Sequence, residues 1–169
     1  MAVGEFELLH GIVLTRLMRA DHPRTLRLME HDKKGGWSVY TVSSRSGADT
    51  PILIKTSIRP RESTRSRKKG FRPTYTWQHT FSPQQIAEAK RLKTWVALVC
   101  GTPNLKSRIM EVCLLDPEEL ANAIDLGAGA CHSLTVKKAR RNMLWVNSGK
   151  LRRTSGEPLK IAGDRHEEI

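Results

Sequence analysis

TWQHTFSPQQIAEAKRLKTWVALVCG, residues 76–101, decides the fold. Trp77, His79 and Phe81, together with the preceding Tyr75, recur at period two, which predicts a strand over residues 74–81 with one aromatic face. That face reads as core in preference to a surface on which bases stack. Ser82-Pro83-Gln84-Gln85 then supplies a helix start with a mechanism: Ser82 caps, Pro83 fits the first turn and Gln85 closes a capping box. The helix is expected to reach about Leu92, and Thr94 to Gly101 follows as a nearly continuous apolar strand.

Working outward toward the N-terminus, Pro51 to Ile58 (PILIKTSI) is apolar enough for an interior strand, interrupted by Lys55. A lysine among Ile52, Leu53, Ile54 and Ile58 is costly to bury, so it is expected at a strand end or over a cleft. Further back, residues 25–31 and 37–42 alternate across the turn Asp32-Lys33-Lys34-Gly35-Gly36, a hairpin pattern. Phe6, Leu9, Val13 and Leu17 repeat at helical spacing and predict a core-packing helix over residues 5–19. Toward the C-terminus, Arg108 to Leu115 reads as a strand, and Asp116-Pro117-Glu118-Glu119 repeats the cap logic for a short helix. Two more strands, residues 133–137 and 142–147, turn at Ser148-Gly149, and a polar tail over residues 154–169 is expected to be loose at its end. The order implies an α/β (α+β) protein: one domain over residues 1–153, a single mixed β-sheet flanked by helices, and no internal repeat.

The chain has 169 residues, 38% apolar and 27% charged, with 29 Lys and Arg against 17 Asp and Glu. That length supports one domain with a real core. The net charge of +12 is concentrated in two stretches. The insert at residues 59–73 carries Arg59, Arg61, Arg65, Arg67, Lys68, Lys69 and Arg72 against Glu62. Residues 133–153 carry Lys137, Lys138, Arg140, Arg141, Lys150, Arg152 and Arg153 with no acid, and the remainder is nearly neutral. Solvated surfaces normally mix both signs, whereas guanidinium pairs with phosphate through parallel hydrogen bonds and releases counterions as it does so. Nucleic acid, DNA or RNA, is therefore the expected partner. The binding candidates are the seven basic residues of the insert together with Lys137, Lys138, Arg140 and Arg141. An anionic membrane surface fits less well, since neither stretch reads as a helix with a broad apolar face. No apolar run approaches a membrane span, and no basic region precedes an apolar one near Met1, so the expected location is cytoplasmic. Cys100, Cys113 and Cys131 are odd in number and lack CxxC spacing; they read as buried thiols.

No established catalytic signature is present: GxxxxGK(S/T), GxGxxG, HExxH and GxSxG are all absent. A weaker constellation remains. Helix, hairpin, acidic loop, lysine-bearing strand, helix and apolar strand is an order that resembles the PD-(D/E)xK restriction-endonuclease-like superfamily. The resemblance implies two carboxylates holding Mg²⁺ and a lysine near the attacking water. Asp49 would be the metal ligand and Lys55 the lysine. Leu53 stands where that pattern has Glu or Asp, and Glu88, Glu30 or Glu7 are the candidates to replace the missing carboxylate.

The blocks HGIVLTRLMR, ILIKTS, TWQHTFSPQQIAEAKRL, TWVALVCG and CLLDPEEL also resemble a family of small bacterial proteins of uncharacterised function, over most of residues 10–120. The resemblance makes Lys55, Trp77, Phe81 and the apolar strand family features and implies no activity. The relatives pass from the lysine strand to the Trp strand through a much shorter loop, so the basic insert is a departure. The main expectation is a nucleic-acid-binding protein on a restriction-endonuclease-like scaffold with a degenerate or rearranged site. The alternatives are a Mg²⁺-dependent nuclease using Asp49 and Lys55, and a non-catalytic subunit of a ribonucleoprotein or defence complex.

Overall fold

A computed structural model describes residues 5–18, 25–32, 37–43, 49–62, 75–102, 110–127, 129–138 and 143–162. Helix α1 (Glu5–Met18) is followed by strands β1 (Thr25–Asp32), β2 (Trp37–Ser43), β3 (Asp49–Ser57), β4 (Arg61–Glu62) and β5 (Tyr75–Phe81). Helix α2 (Pro83–Leu92), strands β6 (Trp95–Cys100) and β7 (Glu111–Leu115), and helix α3 (Pro117–Ala123) come next. The chain continues through β8 (His132–Lys138), β9 (Met143–Ser148), helix α4 (Gly149–Thr154) and β10 (Leu159–Ala162).

The expected single sheet is two. The first has the order β1-β2-β3-β6-β7 and the second β10-β9-β8-β5-β4. In the first, β1, β2 and β3 form an antiparallel meander and β3 pairs in parallel with β6. Ile52 and Ile54 of β3 face Leu9, Val13 and Leu17 of α1, while Leu53 faces the opposite way, into the core between the sheets. A strand covered on both faces can be apolar without alternation, which is why PILI and WVALVC carry so few polar residues. The inter-sheet core packs Leu53, Val96 and Leu98 against Trp77, Phe81, Val136 and Val146, closed at its margins by Ile86 of α2, Leu120 of α3 and Leu151 of α4. The molecule is thus three layers: α1, the first sheet, and the second sheet, whose far face no described element covers.

Local signals place the helices. Ser82 accepts the N–H of Gln85, whose side chain in turn accepts the N–H of Ser82, and Asp116 and Glu119 form the same reciprocal pair. Lys93 ends α2 in the left-handed region, with φ 49°. Two expectations at the C-terminus are corrected. Ser148-Gly149 opens α4 instead of turning directly, and the tail expected from residue 154 includes β10, in which Ile161 is buried and pairs with Leu144. Cys131 is exposed, unlike buried Cys100 and Cys113. Among the described residues no helix is long and apolar enough to cross a membrane.

Candidate nucleic-acid interface

The far face of the second sheet follows from strand alternation. Trp77, Val136 and Val146 are cross-strand partners and all point into the core, so their neighbours in sequence point out. The outward row crosses all five strands: Arg61 pairs with Thr76, Thr76 with Lys137, Lys137 with Trp145, and Trp145 with Lys160. Four interstrand gaps make this row about 19 Å wide. Trp145 is 37% exposed, and the Lys137 ammonium lies 5.8 Å from its ring centroid, a cation–π contact. On the side toward the basic stretches Met143 pairs with Ala162 on the same face; on the other side the rows are short and polar. Gln78, Thr135 and Asn147 form one; Thr80 and Ser133 form the next, their hydroxyls 2.9 Å apart. Among the described residues of this face there are three cations and no acid.

The same register fixes where the basic stretches join the sheet. The chain leaves β4 after Glu62 and enters β5 at its partner Tyr75. It leaves β8 after Lys138 and enters β9 at Met143, while Lys137 lies opposite Thr76. The two attachments are therefore at one end of one sheet, the end bearing the Arg61–Lys160 row. Arg65, Arg67, Lys68, Lys69, Arg72, Arg140 and Arg141 lie outside the described residues. Of the candidates that are described, Arg59 is exposed between β3 and β4, and Arg61 and Lys137 share the outward row. Lys138 is not on that face: it pairs with Glu111 of β7, bridging the two sheets at their rim.

Asp49 and Lys55, the pair proposed for a metal-dependent site, do not come together. Asp49 and Lys55 are the first and seventh residues of one regularly paired strand, which sets their Cα atoms about 20 Å apart. Asp49 is exposed. Glu88 is held by Arg91 through hydrogen bonds of 3.1 and 2.5 Å on the surface of α2, an interaction that lowers its carboxyl below the ordinary range. Glu30 stands on β1 opposite Val39, and Glu7 is exposed on α1. Among the described residues no group of three His, Cys, Asp or Glu side chains is placed to hold a metal ion.

Lys55 is neither at a strand end nor over a cleft. It is 7% exposed, in the core, where its ammonium donates to Gln85 Oε1 at 3.0 Å and sits 5.5 Å from the Phe81 ring centroid. Gln85 thus caps α2 and receives the lysine with one oxygen. Beside it His79 is fully enclosed, its Nε2 3.5 Å from Cys100 Sγ and its Nδ1 without a hydrogen-bond partner. Burial, reinforced by the Lys55 charge, pushes the imidazole down to about 3, while burial holds the Cys100 thiol well above its ordinary range. A neutral imidazole beside a protonated thiol with no route to solvent is a packing element and not a nucleophile with its base.

Sequence reasoning missed Trp145, Lys160 and the alignment of Arg61 with Lys137. The signal for Trp145 was present: in MLWVNS, an inward Leu144 and Val146 force Trp145 outward. Comparison of the chain with protein-family models, with curated proteins and with solved structures finds no match.

Proposed function

We propose that the protein binds nucleic acid, using the far face of its second sheet and the two basic stretches attached to the end of that sheet. The observation that carries this reading is the cation-rich, acid-free row Arg61–Thr76–Lys137–Trp145–Lys160 on an uncovered sheet face. Phosphates meet the cations while Thr and Gln hydroxyl and amide groups offer further donors. The first sheet serves as scaffold. A helix on an antiparallel meander whose third strand runs parallel to the next agrees with a restriction-endonuclease-like core, so that scaffold stays in the proposal. Binding without cleavage is the reading favoured, because Asp49 and Lys55 are too far apart to share a water or a metal and Lys55 is engaged by Gln85. A cytoplasmic location belongs to the same proposal.

The test is the salt dependence of binding for wild type and for an Arg61→Ala, Lys137→Ala, Lys160→Ala triple variant, read by fluorescence anisotropy. Each phosphate that the protein no longer neutralises lowers the slope of log K against log salt by about 0.7 to 0.9. The reading expects the triple variant to give up roughly two units of slope. An unchanged slope would place the binding surface elsewhere, and salt-insensitive or absent binding would reject the function.

A further inference from the structure

We infer that the ligand is single-stranded, with an unpaired base stacked on Trp145. This rests on the reading of the second sheet as a nucleic-acid surface and names what that surface takes. Trp145 is 37% exposed on the uncovered sheet face, with lysines as both of its cross-strand partners, Lys137 and Lys160, which places an accessible indole between two cations. Among the described residues the other exposed large apolar side chains, Leu8, Met18, Leu28 and Met29, belong to α1 and β1 and not to the second sheet. An apolar protein partner would be drawn there. Trp145 has Lys137 and Lys160 across the strands and Asn147 and Met143 along its own, so an apolar ring and its apolar neighbour are framed by cations and an amide, which complements an anionic polymer carrying flat rings.

The shape of the face selects the form of that polymer. A duplex offers phosphates and groove edges, and its base faces are covered by their neighbours; only an unpaired base can lie on an indole. A five-stranded open sheet gives a single strand room to lie across the row, with phosphates over Lys137, Lys160 and Arg61. The next row, Gln78, Thr135 and Asn147, then supplies donors and acceptors at the height of the base edges. The Lys137 ammonium already occupies the cation–π position over the indole, and a stacking base would displace it toward a phosphate.

The experiment titrates the full chain with short oligo(dU), oligo(U) and a duplex of the same length, following ligand anisotropy and intrinsic tryptophan fluorescence. Single strands should bind more tightly than duplex and quench part of the fluorescence; Trp37 and Trp77 are buried, and the half-buried Trp95 belongs to the first sheet, so a quench that disappears in a Trp145 variant reports stacking on Trp145. Trp145→Ala should weaken single-strand binding about tenfold with circular dichroism unchanged. Trp145→Phe, which keeps a ring, should bind at intermediate strength and lose the quench. Preference between oligo(dU) and oligo(U), which share a base, identifies the sugar, and either result supports stacking. Equal affinity for duplex and single strand, with Trp145→Ala affecting neither, overturns the stacking inference and leaves nucleic-acid binding standing. Failure of every ligand to bind at low salt overturns both.

Discussion

Acidification should destabilise this protein through His79. The imidazole is enclosed between the sheets, its Nδ1 lacks a partner, and the buried Lys55 charge adds to the cost of a second cation there. In the folded chain it titrates at about 3, in the unfolded chain near the ordinary 6.5. A histidine whose folded value is depressed binds its proton in the unfolded state first, so its effect is absent above about pH 6.5 and grows as pH falls toward 3. Between pH 7 and pH 4 the gap corresponds to about 3 kcal/mol lost from this one group. The assay is urea unfolding at a series of pH values for wild type and for His79→Leu, which cannot titrate. Other groups contribute to both curves and cancel in the difference. The wild-type curve should fall below the variant's by about 3 kcal/mol more at pH 4 than at pH 7. Parallel curves would refute the placement of His79 as a neutral, desolvated side chain beside Lys55.

Gln85→Ala removes the oxygen shared by the Ser82 N–H and the Lys55 ammonium and should cost about 2 to 4 kcal/mol, while Gln85→Glu, which keeps the acceptor, should stay within about 1 kcal/mol of wild type in denaturant unfolding. Trp77→Phe loses the 2.7 Å hydrogen bond from Nε1 to the Gly101 carbonyl and opens volume in the inter-sheet core; a loss of about 2 to 3 kcal/mol in the same assay is expected. Asp49→Ala should leave stability within about 0.5 kcal/mol and leave nucleic-acid affinity unchanged, since its side chain is exposed at the start of β3, about 20 Å from Lys55. A large loss of affinity in that variant would return the Asp49 and Lys55 pair to consideration.

What the sequence disclosed were features whose cause is local. Both capping boxes, the alternation of Tyr75, Trp77, His79 and Phe81, and the apolar run of β6 are set by neighbours within a few positions. The division into two sheets has no such cause. It depends on β5 pairing with β8, more than fifty residues away in Gln78 and Ser133, and no spacing rule reaches that far. The four residues of β10 offer only Leu159 and Ile161 as a period-two signal, too short to stand out in a polar tail. Lys55 was expected near water because its partner, Gln85, is thirty positions distant and already explained as a cap. The basic stretches were legible as charge, but their attachment to one end of one sheet follows from strand register alone.

The most direct test of the nucleic-acid surface is ultraviolet cross-linking of the full chain to a uracil- or thymine-bearing single strand, with the attached peptides identified by mass spectrometry. Cross-links should fall on β8, β9 and β10, with the peptide carrying Trp145 prominent, and on the basic stretches that join the same end of that sheet. Cross-links concentrated on α1 or β1, or none at low salt, would contradict it.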